Sequence, residues 1–580
     1  MTARFAWLPI VAAAALCFPS HVRARETLGY DAMASAKYPA SVDLSAYGAD
    51  AGARPPSHRF EGRLRIAGKI QTHVLVADMD FVRPGDVALA RTLPDDFDQA
   101  FVQHGDALIP VRRGPIPGSH GWWEFVLEPG RVWDEPGDHG YSRAAIPFAL
   151  VQKNANCTHN GVLMFLFDDE GIVGQASIQV SGETCQYLQM DMWGMLDAAY
   201  IPGKIADAAG VVSSHDHEVA FRLPVRPLSV LAHDHPGIIA DAFAIGSPQS
   251  STRHGVFVDG VHYASSCATR HGDYPYCEVM DLPSFSVAKT AAAGIALMRM
   301  QALHPGIADE RVADHVPATG CRSPKWDGVR FIDLLDMASG HYEASAYMAD
   351  EDSPAVVDFF RPTDHPHKLA FSCEAYPRRE APGKRWVYHT SDTYLLGVAL
   401  NAYLRSSPAS AGKDIFTDVV DADIYQPLDL SPTARATRRT YDKYAQPFLG
   451  WGLTLHADDI VKLARFMGPD KGAIDGQSLL DGRMLDEAMQ RAPARRGLQV
   501  ATLDRYRYQH GVWARNVQRE LGCEHPTWVP FMSGFGGITV AMFPNGAIWY
   551  NVADDGQLAS IDFAAPAREI RKFGDYCASE

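Results

Sequence analysis

Ser286 and Lys289 lie three positions apart in the stretch Asp281-Leu-Pro-Ser-Phe-Ser-Val-Ala-Lys-Thr290. A serine hydroxyl is a weak nucleophile at its own pKa, and a lysine whose ammonium form is disfavoured by burial can take its proton. Residues three apart on a helix share a face, so the Lys289 amine can reach the Ser286 hydroxyl if a helix is present. The sequence predicts one. Ala291 to Leu303 is apolar on nearly every face until His304-Pro305 stops the pattern, as in a helix buried inside a larger domain. Ser286 is expected in its first turn, where the helix N-terminus favours developing negative charge. A second Ser-x-x-Lys tetrad, Ser410-Ala-Gly-Lys413, sits in the loop-like run Ser406-Ser-Pro-Ala-Ser-Ala-Gly, so surroundings decide what the tetrad means.

Those surroundings include five further segments. Gly255 to Ala264 reads as a β-hairpin with an Asp-Gly turn just before the Ser286 helix. Phe331-Ile-Asp-Leu-Leu-Asp-Met-Ala-Ser-Gly340 reads as a short amphipathic helix ended by glycine. Ala381 to Gly397 runs from a Pro-Gly turn, through a polar knot at Tyr388, into another apolar helix. Trp451 to Phe466 reads as a loop capped by an aspartate and followed by a helix, and Met532 to Pro544 as a glycine-loosened edge entering a strand. The Gly-x-Ser-x-Gly elbow is absent, so an α/β-hydrolase reading finds no nucleophile.

The start of the chain carries Arg4, then Phe5 to Phe18 largely apolar, then small residues at Val22-Arg-Ala24, the pattern of a secretory leader too short to span a bilayer. A lipid anchor at Cys17 is disfavoured by the bulky Leu16 before it. Of nine cysteines, eight remain after the leader, an even number that suggests disulfides in an oxidising compartment. Pairing between sequence neighbours is the simplest arrangement, with Cys267 to Cys277 closing a short loop before the Ser286 helix. Without Arg4 and Arg23 the charge is 51 basic against 69 acidic residues, about −18, which disfavours nucleic acid or an anionic membrane as partner. No later stretch is long and apolar enough for a membrane anchor.

Residues 25 to about 225 carry short strand-like runs, among them His73-Val-Leu-Val-Ala and Gly161-Val-Leu-Met-Phe-Leu-Phe, separated by Pro, Gly and Asp. They predict a mostly β accessory domain, with Trp122-Trp123 as an exposed pair able either to bind a ligand or to fill a core. His215-Asp-His217 and His233-Asp-His235 invite a metal reading, but they look like loop pairs without helical ligand spacing, and a metal-free protein is expected.

Taken in order, Ser286-Val-Ala-Lys289, Leu334 to Gly340, Pro382-Gly383 with Tyr388 and Leu395-Leu-Gly397, Thr454 to Phe466, and Gly534-Phe-Gly-Gly537 resemble the serine β-lactamase and penicillin-binding superfamily. The resemblance is to its class C-like branch, which also holds esterases, D-aminopeptidases and 6-aminohexanoate-dimer hydrolases. It covers roughly residues 226 to 580 and implies an α+β catalytic domain, an antiparallel sheet flanked by helices plus a helical subdomain. The expected organisation is a leader at 1–24, a β accessory domain at 25–225 and the catalytic domain at 226–580.

By that resemblance Ser286 is the nucleophile of an acyl-enzyme, Lys289 its proton acceptor and Tyr388 the proton shuttle. A phenol beside an ammonium group should have its anion favoured. The oxyanion donors would be the N–H groups of Ser286 and Phe535, with Gly534 letting substrate lie close and Ser533 and Thr390 completing the wall. Thr390 stands where the family usually has Asn or Ser, and Met532 where many members carry a lysine that holds a carboxylate. The expectation is therefore an exported serine hydrolase of a small or peptide-like amide or ester, without metal or organic cofactor. The alternatives are a β-lactamase or D-Ala peptidase, and a non-catalytic binding protein that keeps the fold. His341 to Arg379 is the segment expected to form the substrate wall.

Overall fold

A computed structural model describes residues 28–35, 40–247, 250–556 and 562–578. The expected leader, with Cys17, lies outside them. The first half is a ten-stranded antiparallel sheet. Its strands include Glu61–Ala67, Trp123–Leu127, Ser142–Gln152, Thr158–Phe167, Ile172–Thr184 and Leu188–Pro202. Gly62–Ala67 pairs with Asp197–Pro202, which closes the sheet on itself, while Gln71–Ala77 and Trp123–Leu127 each pair with one strand only. The strand-like runs at His73 and Gly161 fall within the strands Gln71–Ala77 and Thr158–Phe167. Side chains fill the interior, among them Phe60, Phe101, Phe125, Phe165 and Phe167. Trp122 and Trp123 belong to this core at 8% and 0% exposure, so the expected exposed pair is a packing pair, and Trp123 donates to the Ala90 carbonyl.

The second half is built on a nine-stranded sheet. Its order runs Val225–Pro227, Val261–Ala264, Ser251–Val258, Ile548–Ala553, Ile538–Met542, Trp528–Gly534, Val512–Asn516, Leu503–Gln509, Leu498–Val500. Membership changes from one sheet to the other between Pro202 and Val225. The expected hairpin forms, with Asp259 and Gly260 both at positive φ, the pair of conformations a two-residue hairpin turn needs. Trp528–Gly534 lies well inside the sheet rather than at an edge, paired on both sides. On one side of this sheet pack the helices Ile295–Leu303, Thr390–Leu404 and Ala457–Met467, in one apolar core that also takes in Met532, Val540 and Val552.

Three local expectations change. The Ser286 helix opens with a wide-turn π-helical run, Lys289–Gly294, before the regular Ile295–Leu303, and π turns recur at functional sites. The helix at Phe331 stops at Leu335, with Met337 rather than Gly340 taking the left-handed position next to it. The helix Ala457–Met467 is preceded by His456, not by a capping aspartate; Asp459 reaches back to accept from the His456 N–H at 2.7 Å. His215 and His217 lie on a helix, Ala208–Ala220, where residues two apart point to different sides. Four cysteine pairs stand at disulfide distance, all between sequence neighbours: Cys157–Cys185, Cys267–Cys277, Cys321–Cys373 and Cys523–Cys577. Among the described residues no helix is long and apolar enough to cross a membrane.

Candidate active site

Ser286 stands on a tight turn between a short strand and its helix. Leu282–Pro283 pairs with Thr454–Leu455, and Val287 and Ala288 begin the helical bonding with donation to Ser284 and Phe285. Phe285 takes φ 39°, a left-handed conformation that a bulky residue adopts only when its surroundings hold it there. The holder comes from the β domain. The buried Asn156 side chain accepts from Phe285 N (2.8 Å), Ser284 Oγ (3.1 Å) and Gly452 N (2.9 Å), and donates to Leu453 O (3.2 Å). Four residues later, Asn160 exchanges a pair of hydrogen bonds with the Asp281 backbone.

Lys289 is fully buried beside the nucleophile, its Nζ 2.9 Å from Ser286 Oγ. The same nitrogen donates to Thr390 Oγ1 at 2.8 Å and to the Gly450 carbonyl at 3.2 Å. Burial pushes its amine down to about 8, against the opposing pull of the Glu351 carboxylate. A lysine so placed can lose its proton near neutral pH. Tyr388 hydrogen-bonds Ser286 and lies with its ring over Lys289 Nζ, 4.8 Å to the centroid. The expected phenolate is not favoured. Burial, then Tyr508 and Glu351, hold the hydroxyl well above its ordinary range, and the bond from Ser286 offsets only part of this. The ammonium meets the ring face rather than the oxygen, so Tyr388 is a proton-bearing phenol.

The structure brings Ser286, Lys289, Tyr388 and Thr390 together. Gly534 closes on the same turn: a Cβ there would lie 2.8 Å from the Ser284 carbonyl, so the strand can approach only without a side chain. Phe535 follows, its ring 5.6 Å from that of Phe285. Among the described residues the N–H groups of Ser286 and Phe535 take no backbone partner, which leaves both for an oxyanion. Ser533 pairs with Thr539 on the strand, and no described hydrogen bond joins it to Ser286 or Lys289. Phe81 and Tyr187 of the β domain stack on each other at 5.4 Å and lie tilted against Phe535 at 5.5 and 6.1 Å, extending the rim from the other half of the chain.

Two residues here carried no sequence signal. Asn156 is one of three asparagines in a polar run more than a hundred positions upstream. Glu351, inside the segment His341 to Arg379, accepts from Thr390 N at 2.9 Å and from the Thr390 hydroxyl. Its neighbour Asp350, buried at 3% exposure, pairs with His389 Nε2 at 2.9 Å and accepts from the N–H groups of Glu343 and Ala344. The two acids thus clasp the two residues that follow Tyr388.

The His-x-His pairs do not converge; His217 pairs with Asp429 at 2.7 Å and His235 lies against Tyr263. The one described group with metal-ligand proximity is Glu128, Asp281 and His456, all buried. There His456 Nε2 lies 3.4 Å from Glu128 and 3.9 Å from Asp281, while Glu128 also accepts from Arg113 and Thr433. Burial opposes the imidazolium, but Glu128, Asp459 and Asp281 raise His456 to about 9, while burial and then Glu128 hold the Asp281 carboxyl well above its ordinary range. A cavity of about 300 Å³ bordered by Asp309, Arg330, Asp336, Glu487 and His510 lies behind the Gly383 turn and does not include Ser286.

A family model described as Beta-lactamase matches residues 282–552. A comparison with curated sequences gives no match. Among solved structures the chain is similar to a Bacillus anthracis protein assigned as a 6-aminohexanoate-dimer hydrolase, at 12% identity and TM-score 0.44, covering 61% of this chain and 87% of that one. It is similar to a penicillin-binding protein homologue from Caulobacter crescentus, at 16% identity and TM-score 0.40, over 61% and 98% of the two chains. It is also similar to EstCE1, a hydrolase with promiscuous acyltransferase activity, at 16% identity and TM-score 0.39, over 63% and 99%. The segment from Leu282 to Val552, which holds Ser286, Lys289, Tyr388 and Gly534, is the part of the chain that carries the match to the Beta-lactamase family.

Proposed function

We propose that the protein is an exported serine hydrolase that cleaves a small amide or ester through an acyl-enzyme on Ser286. The observation that carries this reading is the buried Lys289 amine, lowered to about 8 and 2.9 Å from the Ser286 hydroxyl. Neutral Lys289 takes the Ser286 proton as Oγ bonds the acyl carbon, and the N–H groups of Ser286 and Phe535 hold the oxyanion. When the intermediate collapses, the bond to the leaving group breaks and Tyr388, a phenol bonded to Ser286, passes it a proton. Tyr388 regains a proton from the water that attacks the acyl-enzyme, as the Lys289 ammonium returns its own to Ser286 Oγ. Water entering on the same path releases the acid and restores Ser286.

The absence of a cation at Met532 supports an uncharged amide or ester over a carboxylate-bearing β-lactam, and the Phe81, Phe285 and Phe535 rings support an apolar group next to the acyl carbon. The four cysteine pairs support export to an oxidising compartment. The test is a panel of p-nitrophenyl esters, D-amino-acid amides, linear amide oligomers and nitrocefin, run on wild type and Ser286→Ala, with a serine-directed phosphonate as label. Turnover and an adduct on Ser286 are expected in wild type and neither in the variant. A folded wild type that takes no phosphonate would overturn the reading in favour of a binding protein.

A further inference from the structure

We propose that Glu351 is a positioning residue for the lysine base, acting through Thr390 as the third group orients the base in a serine–base–acid triad. The proposal rests on the hydrolase reading above. It arises from a chain of contacts: Ser286 Oγ to Lys289 Nζ at 2.9 Å, Lys289 Nζ to Thr390 Oγ1 at 2.8 Å, and Thr390 Oγ1 to Glu351 Oε1.

The directions of these bonds matter more than their number. An ionised carboxylate only accepts, so the single Thr390 hydroxyl proton must point at Glu351. Thr390 then has only lone pairs to offer Lys289 and must accept from it. The Gly450 carbonyl is likewise an acceptor, so two of the Lys289 N–H bonds are committed to Thr390 and Gly450. In the neutral amine the lone pair is left facing Ser286, which is where the base needs it. If Glu351 could not accept, the Thr390 hydroxyl could turn and donate to Lys289, tying up that lone pair.

Proton transfer then balances without a further reagent. The Ser286 proton moves to Nζ as the Oγ–acyl bond forms, and the resulting ammonium has three acceptors in Ser286 Oγ, Thr390 Oγ1 and the Gly450 carbonyl. The Glu351 charge stands one hydroxyl away from that cation. The clasp is built in place: Thr390 N donates to Glu351 Oε2 at 2.9 Å, and the buried Asp350–His389 pair fixes the adjoining residue on each side. This also explains how a hydroxyl serves where an asparagine is otherwise usual: with one rotor and held by a carboxylate, it gives a single donor direction.

Glu351 faces Lys289, Tyr376, Tyr388, His389 and Asp392 from the elements packed against it, and Asp352 on its own segment. Among these, Lys289 has the proton whose loss starts acylation, and Glu351 acts on it in the direction that keeps it charged. Removing the carboxylate therefore moves the inflection to lower pH.

The experiment measures the rate of phosphonate labelling at Ser286 as a function of pH for wild type, Glu351→Gln, Thr390→Ser and Thr390→Val, with urea midpoints to confirm folding. Glu351→Gln is expected to lower the plateau rate about tenfold or more and to shift the inflection to lower pH. Thr390→Ser should restore most of the wild-type rate, and Thr390→Val should be slow whether or not Glu351 is also changed. A wild-type rate in Glu351→Gln, or a slowed rate with an unmoved inflection, overturns the proposal while an adduct in wild type keeps the hydrolase reading. If Glu351→Gln fails to fold, additive losses in Thr390→Val and a second substitution, Glu351→Asp, overturn it, and coupled losses support it. Wild type that labels at no pH overturns both.

Discussion

Asn156→Ala isolates what the β domain does for the nucleophile. The substitution removes four hydrogen bonds at once, to Phe285 N, Ser284 Oγ, Gly452 N and Leu453 O. Two of these groups have other partners: Leu453 O also accepts from Ser284 N, and Ser284 Oγ also lies 3.1 Å from Phe285 O. The N–H groups of Phe285 and Gly452 do not have such a second partner, and each orphaned buried donor costs about 1–3 kcal/mol. The stability loss is therefore about 2–6 kcal/mol before water enters the space, within the roughly 5–15 kcal/mol that a domain commonly has. The variant should fold.

Its rate should fall further than its stability suggests. Phe285 at φ 39° carries about 1–3 kcal/mol of backbone strain that Asn156 helps to hold, and relaxation of that residue moves its neighbour Ser286. A displacement of about 1 Å costs on the order of 100-fold in rate. The assay is phosphonate labelling and ester hydrolysis beside urea denaturation, on Asn156→Ala and Asn156→Asp. The aspartate keeps the acceptor for both N–H groups and should retain most of the rate. A variant Asn156→Ala that loses the expected stability yet labels at the wild-type rate would refute the reasoning, because the turn would then be held by its own backbone bonds.

Three more outcomes follow from the geometry. Because burial lowers Lys289 to about 8 and the base must be neutral, acylation should be slow in acid and rise with pH through about 8; a rate flat from pH 6 to 9 would exclude Lys289 as the base. Gly450→Ala puts a Cβ 2.2 Å from Thr393 Oγ1, so Thr393 or the Gly450 backbone that holds Lys289 must shift; labelling should fall at least tenfold, with the circular dichroism spectrum unchanged, and a wild-type rate would show that Thr393 alone gives way. Arg113→Leu strips a buried guanidinium from Glu128 and Glu218 and should cost about 3–5 kcal/mol in urea unfolding, a loss that a surface pair could not produce.

The site was legible in the sequence where chemistry follows local spacing. Ser286 and Lys289 share a helix face, and Tyr388 and Thr390 begin the next buried helix, so a short stretch of chain fixes each pair. Glu351 and Asn156 were silent for the opposite reason. Each stands among other polar residues in a segment without periodicity, so nothing local singles it out, and only tertiary folding carries it to the turn. The state of Tyr388 could not be read either, since proximity to Lys289 favours a phenolate whereas burial against Tyr508 and Glu351 disfavours it, and burial is a property of the packed site. Trp122-Trp123 shows the same limit. Ligand binding and core filling were both open for the pair, and the sheet turned both rings inward. The strands themselves were clear, because alternating apolar runs between turn residues require only neighbouring positions.

Strand pairing draws a border after Pro202, yet the working parts do not respect it. Asn156 stands on one side and the serine turn it braces on the other; the same is true of Tyr187 and Phe535. The halves therefore cannot be inherited separately. A shuffled gene that kept the portion from Val225 onward and replaced the barrel would still encode Ser286, Lys289 and Tyr388 in order, but would leave the serine turn without its side-chain brace. For this chain the unit of inheritance, and of any expression plasmid, is the pair.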